Sequence, residues 1–438
     1  MSKKQNKTNV ILIMSDDLGY EVLGCNGGTS YKTPVLDKLA SEGVNFTEAH
    51  VQPLCTPTRL QLMTGKYNSR NYIGFGLMKP DERTFGHIMT EAGYKTLISG
   101  KWQLYSYNPP DVEPHMRNKG QRIEDSGFDE YCVWHAHHTE DKGSRYKDPV
   151  IYQNGSYLNN TKGKYGEDIF CDYILDFIDR NQEEPFFVYF PMALTHRPFE
   201  PTPDSPEYEE FDPPTNLSLG KGKTFDEVEG WEDDPKYYKD MVEYHDKIVG
   251  RIIHKLDELN LSENTLVIYI GDNGTPVEVN SQMGSNSIQG GKGLPNDRGT
   301  HVPLICSMPG TINPGVNLDL IDSTDILATI LDISKTDLGD FVIDGQSFLP
   351  QLSGQKGNPR DWLYFYYEPK NPRRDALNRE FKYVFARDKK WKLYNDGKLF
   401  DLNNDLEELD PIFEYDDTSE SNEVRKKLTK VLEENTPK

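Results

Sequence analysis

Two continuous apolar runs, Val10-Ile11-Leu12-Ile13-Met14 and Leu266-Val267-Ile268-Tyr269-Ile270, constrain this chain more than any other feature. A strand with one wet face alternates apolar and polar residues. A strand with none is apolar throughout, and such strands belong to parallel sheets covered by helices on both faces. Each run stops abruptly in acid, at Ser15-Asp16-Asp17 and at Gly271-Asp272-Asn273-Gly274. Two further strands, Lys95–Ser99 and the strongly apolar Phe186–Phe190, run into Gly100-Lys101-Trp102 and Thr195-His196-Arg197-Pro198. Helical patterns lie between them at Thr33–Glu42, in a Leu/Met-rich stretch that Pro53–Arg59 leads into and that stops near Gly65, and at Thr84–Ala92, Glu167–Arg180 and Lys236–Leu259. This rhythm predicts an α/β fold, a large doubly wound mixed sheet flanked by helices, with ligands gathering beyond the carboxyl ends of the strands.

Residues 105–165 and 201–234 read as polar insertions, the first rich in Tyr, His, Pro and Asn and suited to substrate contacts. After about residue 350 the texture changes. Short aromatic strands (Leu363–Tyr367, Tyr383–Arg387, Lys392–Tyr394) and a charged helix (Ser421–Glu434) predict a smaller C-terminal α+β domain carrying an antiparallel sheet. The expected division is therefore 1–350 and 351–438. The acidic run Asp405–Asp410 reads as solvated surface.

Charge excludes one class of partner. The 438 residues carry 49 Lys and Arg against 71 Asp and Glu, a net charge of −22, the wrong sign for binding nucleic acid. The five cysteines (Cys25, Cys55, Cys132, Cys171, Cys306) are odd in number and widely spaced, so neither a disulfide framework nor a paired-cysteine zinc site is expected. No apolar stretch is long enough to span a membrane. The polar segment Met1–Asn9 leads straight into the first strand. A cytoplasmic location follows if the sequence is complete, and a periplasmic or secreted one if a signal peptide has been removed.

Asp16, Asp17, Asp272 and Asn273 are hard oxygen donors at the ends of buried strands, and together they suit Ca²⁺ or Mg²⁺ better than zinc. Either pair alone would more simply be a turn or a helix cap. The cluster Trp134-His135-Ala136-His137-His138 lacks a clear zinc-ligand frame. With Tyr131 and Arg145 it reads as pocket lining, its aromatic faces and polar edges suited to sugars, with ordinary loop packing as the alternative.

Cys55-Thr56-Pro57-Thr58-Arg59 fits the pattern C-x-P-x-R, and Leu62-Met63-Thr64-Gly65-Lys66 continues it. With the two acid-ended strands, Gly100-Lys101-Trp102, Thr195-His196-Arg197-Pro198, and Lys292 placed eleven residues before Pro303, the chain resembles the formylglycine-dependent sulfatases of the alkaline phosphatase superfamily. The likeness runs in order from Asn9 to about Leu352, and Trp391-Lys392-Leu393 with Leu399-Phe400-Asp401-Leu402 extends it. The resemblance implies that Cys55 is oxidised to formylglycine by a maturation enzyme, and that a hydroxyl of the aldehyde hydrate attacks sulfur beside a bound Ca²⁺. It further implies that Lys101 and Lys292 neutralise the sulfate oxygens, that Arg59 holds the hydrate, and that His196 protonates the leaving oxygen. Gln103 stands where many members have His; it can hydrogen-bond but cannot shuttle a proton. Asp297, Arg298 and His301 likewise replace the family's Glu, Gly and Arg. Gln103, Trp134, His135, His137, His138, Arg145 and Arg197 are the expected substrate-binding residues.

The expected activity is hydrolysis of sulfate monoesters on a sulfated saccharide. The alternatives are a formylglycine-dependent phosphonate or phosphate ester hydrolase, and a non-catalytic protein that binds sulfated glycans.

Overall fold

A computed structural model describes residues 7–106, 114–137, 143–213, 234–368 and 382–437. The strands are β1 (Asn9–Ser15), β2 (Val44–His50), β3 (Lys95–Lys101), β4 (Glu130–Trp134), β5 (Ile151–Gln153), β6 (Ser156–Tyr157), β7 (Phe186–Pro191) and β8 (Thr265–Gly271). A hairpin, β9 (Asn280–Met283) and β10 (Asn286–Gln289), follows, then β11 (Leu304–Ser307) and β12 (Gly315–Asp322). Apart from the hairpin they form one ten-stranded sheet in the order β12-β2-β11-β8-β1-β7-β3-β4-β5-β6.

The two acid-ended runs are neighbours in the middle of this sheet, where β1 pairs with both β7 and β8. The block from β8 through β1, β7 and β3 to β4 is parallel throughout. Parallel neighbours end on one rim, so Asp16, Lys101, His196 and Asp272 emerge together. β11 runs antiparallel to β8 and β2, which makes the sheet mixed. Along β1, Val10, Leu12 and Met14 pack into one apolar cluster while Ile11 and Ile13 pack into the other. Helices Cys55–Thr64, Phe85–Glu91 and Asp325–Ser334 cover the first face, and Pro34–Glu42, Gly166–Asn181 and Tyr237–Glu258 the second.

The insertion at 105–165 holds more regular structure than its composition suggests, because it supplies β4, β5 and β6 at one edge of the sheet. Beyond residue 360, β13 (Leu363–Tyr367), β14 (Tyr383–Arg387), β15 (Trp391–Tyr394) and β16 (Leu399–Asp401) form an antiparallel sheet. Helix Ser419–Asn435 covers one face through Val424, Leu428, Val431 and Leu432. On the other face Leu363, Phe365 and Phe385 pack with Leu320 of β12. Buried Arg360 also donates to both carboxylate oxygens of Asp325 in the large body, at 2.7 Å and 3.0 Å from Nε. The run Asp405–Asp410 is not simply solvated, since Glu407 pairs with Arg298 and Glu408 with the buried Lys392.

Candidate active site

Asp17 adopts a left-handed conformation, φ 64°, which a short polar side chain tolerates better than most. That bend turns two successive carboxylates into the rim. The Asp17 amide donates to Asp272 Oδ1 at 2.8 Å, and the Asn273 amide nitrogen donates to Asp17 Oδ1 at 2.8 Å. Reciprocal main-chain bonds, Asp16 N to Leu194 O and Thr195 N to Asp16 O, tie this turn to the loop after β7.

Cys55 opens helix Cys55–Thr64, every residue of which is buried. Pro57 in its first turn lacks only a hydrogen that helix geometry leaves unpaired there. A helix without a wet face must satisfy its polar groups internally. Thr58 Oγ1 donates to Gln52 O at 3.0 Å, and Arg59 donates to the carbonyls of Trp102 and Lys101 at 2.6 Å and 2.7 Å. The expected Arg59 contact with position 55 is not among these bonds; the guanidinium instead fixes the main chain that carries Lys101. The Cys55 sulfur lies within 4.8 Å of ligand oxygens on Asp16 and Asp272.

Lys101 reaches Asp16 because β3 comes unusually close to β7. Gly100 has φ 133°, and a Cβ there would lie 2.1 Å from Pro191 O. The Lys101 ammonium is buried and donates to Asp16 Oδ2 at 2.6 Å, while Lys292 enters from the rim to donate to Asp17 Oδ2 at 2.5 Å. His196 Nε2 lies 3.9 Å from the same Asp17 oxygen. Its Nδ1 lies 2.9 Å from Arg145 Nη1 and beside the Arg197 carbonyl, and Arg145 stacks 4.2 Å above the Trp134 ring. Two residues that sequence reasoning did not single out hold the His196 loop. Buried Glu167 accepts from the amides of Ala193 and Leu194 at 2.6 Å and 2.9 Å, and the Tyr146 hydroxyl donates to Ala193 O at 2.7 Å. Glu167 reads in sequence as an ordinary acidic residue in a helix's first turn, so only the fold reveals its role.

Three buried carboxylates and two ammonium groups leave the rim short of positive charge. Burial pushes Asp16 up, but Lys101 and Lys292 outweigh it and hold the carboxyl below its ordinary value. Asp17 stays raised by burial, and Asp272 is raised well above the usual range by burial and by neighbouring Asp16. Asp16 Oδ1, Asp272 Oδ2 and Asn273 Oδ1 are buried without a hydrogen-bond partner among the described residues. Orphaned oxygens on three of the four expected ligands, beside excess negative charge, fit a hard divalent cation. Burial, aided by Lys292, Arg145 and Lys101, holds the His196 imidazole well below its ordinary pKa.

The remaining expected residues divide. Trp134 and His135 are brought beside the site, since Trp102 N and Gln103 N donate to their carbonyls at 3.0 Å and 3.1 Å. Gln103 is half-buried with φ 46°. His137 belongs to a separate cluster, with Nε2 3.1 Å from Glu124 and its ring edge-on to Tyr105 and Tyr152. Arg197 donates to Glu278 at 3.0 Å. His138 lies outside the described residues.

Comparison with known proteins points to one family. The sulfatase family model matches residues 8–336, and the model for the C-terminal part of N-sulphoglucosamine sulphohydrolase matches residues 292–438. The chain is 29% identical over 387 residues to an arylsulfatase of Hemicentrotus pulcherrimus, covering 82% of this chain and 64% of that protein. It is 26% identical over 513 residues to an N-acetylgalactosamine-6-O-sulfatase of Bacteroides thetaiotaomicron, covering 98% and 93%. A structure solved in complex with its substrate D-glucosamine-2-N,6-O-disulfate superposes with a TM-score of 0.74 at 21% identity, covering 98% of this chain and 97% of the other. A phosphonate monoester hydrolase of Agrobacterium radiobacter shares the fold with a TM-score of 0.69 at 20% identity, covering 98% and 95%.

Proposed function

Because this chain belongs to the sulfatase family, we propose that it hydrolyses a sulfate monoester carried on a saccharide, with Cys55 as the site of the nucleophile. The observation that carries this reading is the meeting of Cys55, Asp16 and Asp272 within 4.8 Å, under the ammonium groups of Lys101 and Lys292. Position 55, once oxidised to formylglycine, supplies a hydrated aldehyde as nucleophile. A divalent cation, Ca²⁺ by its all-oxygen donor set or else Mg²⁺, would be held by Asp16, Asp17, Asp272 and Asn273 and would supply positive charge at the sulfate oxygens.

The chain's own side chains account for the rest. Lys101 and Lys292 bring fixed positive charge to a monoanion that would otherwise repel any nucleophile. Arg59 holds the Lys101 and Trp102 carbonyls, so the Lys101 ammonium keeps its aim. Burial and the nearby cations disfavour a charged His196 in the free site, and a bound sulfate anion would favour the imidazolium that can pass a proton to the departing oxygen. Arg145, stacked on Trp134, presents a flat guanidinium edge next to it. The sulfated saccharide reading draws on the bacterial and animal relatives that act on amino-sugar sulfates by name.

The test has two parts. Peptide mass spectrometry of active protein should find the aldehyde at position 55, and Cys55→Ala should abolish turnover while the fold persists. A panel of regiochemically defined sulfated saccharides should then yield free sulfate. Faster cleavage of an aryl phosphate or phosphonate than of the matching aryl sulfate would reassign the activity, and glycan binding without sulfate release would make the protein a binder.

A further inference from the structure

The loop that carries Lys292 is held from two sides. On its inner side the Lys292 amide donates to Thr275 O at 2.9 Å and the Gly293 amide to Pro53 O at 2.8 Å. On its outer side four contacts come from beyond residue 360. Lys392 on β15 donates to Pro295 O at 2.7 Å and to Glu408 Oε1 at 2.6 Å. Arg387 on β14 donates to Asp297 Oδ1 at 2.5 Å, the Tyr367 hydroxyl on β13 to Gly293 O at 3.4 Å, and Glu407 pairs with Arg298 at 2.6 Å. Four contacts thus fall on residues 293, 295, 297 and 298, within one short turn of Lys292. The Lys392 and Arg387 side chains are 1% and 2% exposed, so their bonds are charge-assisted and shielded from water.

We propose that Lys392 and Arg387 are positioning residues for the sulfate site, and that the C-terminal sheet fixes the Lys292 ammonium from behind. The proposal rests on the reading of Lys292 as a sulfate ligand. Proline has no main-chain N–H, so its carbonyl is the one main-chain hydrogen-bonding group Pro295 offers, and buried Lys392 satisfies it. Without Lys392, Pro295 O and Glu408 both lose a buried partner and the turn is free to shift outward. Such a shift would also reach the cation ligands, because Gly274, next to Asn273, donates its amide to Gly299 O at 3.0 Å.

The experiment is a double-mutant cycle in the full, calcium-loaded chain. Lys392→Met, Lys292→Ala and the double variant are compared for the Kd of inorganic sulfate by calorimetry, and for kcat and KM on nitrophenyl sulfate. Lys392→Met should weaken sulfate binding about tenfold and raise KM more than it lowers kcat. Added to Lys292→Ala, the same change should cost much less than it does alone, and Lys392→Arg should restore affinity. An equal loss in both backgrounds, or unchanged affinity in folded Lys392→Met, overturns the positioning role. If Lys392→Met does not fold, Asp297→Asn, which keeps the side chain's shape and removes its charge opposite Arg387, carries the same cycle. Unchanged sulfate affinity in Lys292→Ala would instead refute the sulfate-ligand reading itself.

Discussion

At the scale of single residues, proton transfer and charge burial separate cleanly. If His196 delivers the leaving-group proton, His196→Ala should slow a sugar sulfate about 10²–10⁴-fold more than a nitrophenyl sulfate, whose phenoxide leaves without help. Gln103→Ala should slow both substrates alike; equal losses for His196→Ala would move the acid elsewhere. Glu167 makes a second prediction. Burial pushes its carboxyl from about 4.5 to about 8, so the folded protein holds a proton that the unfolded chain releases. Its contribution to stability is full below about pH 4.5 and is lost as pH rises through about 8. Glu167→Gln keeps an acceptor for the Ala193 and Leu194 amides and cannot ionise. The variant's melting temperature should therefore fall less between about pH 5 and pH 9 than the parent's, and parallel curves would refute the assignment. The meeting of Asp16, Asp17, Asp272 and Asn273 was legible in sequence because each pair ends a continuous apolar strand and the two strands are neighbours. Glu167 and Tyr146 were not, because their partners are main-chain atoms brought near only by the fold.

At the scale of elements, legibility followed burial. β1, β7 and β8 announce themselves as continuous apolar runs. β12 exposes Val316 and Leu318 at the sheet edge, and β4 to β6 lie in a segment whose composition reads as loop, so neither carries that signature. The position of Arg59 was equally hidden, since its acceptors are carbonyls on another strand. β3 offers a test of how an element sets the site. Gly100→Ala would place a methyl 2.1 Å from Pro191 O at φ 133°, forcing β3 away from β7 and carrying Lys101 with it. Strain of this kind costs about 1–3 kcal/mol before the clash is counted. The variant should melt lower and lose most of the proposed sulfatase activity, and full activity would mean that Lys101 does not need this close approach.

At the scale of the whole molecule, the expected division near residue 350 marks a change of architecture across a shared interior. Leu320 packs under the C-terminal sheet, and Arg360 is locked to Asp325. Chemical unfolding should accordingly give one transition by fluorescence and circular dichroism together, and two resolved transitions would mean separable domains. Calcium should raise the melting temperature of chelator-stripped protein, by the equivalent of about 2.7 kcal/mol at a hundredfold excess over Kd, and no change would refute the cation site. The burial of helix Cys55–Thr64 orders events in the life of the chain. If a maturation enzyme oxidises Cys55, it must reach a Cys55–Arg59 segment that the fold encloses at every residue. On that reading, conversion of the thiol belongs to the interval before the sheet closes. A chain that folds first would then be locked out of activity, however much maturation enzyme it later meets.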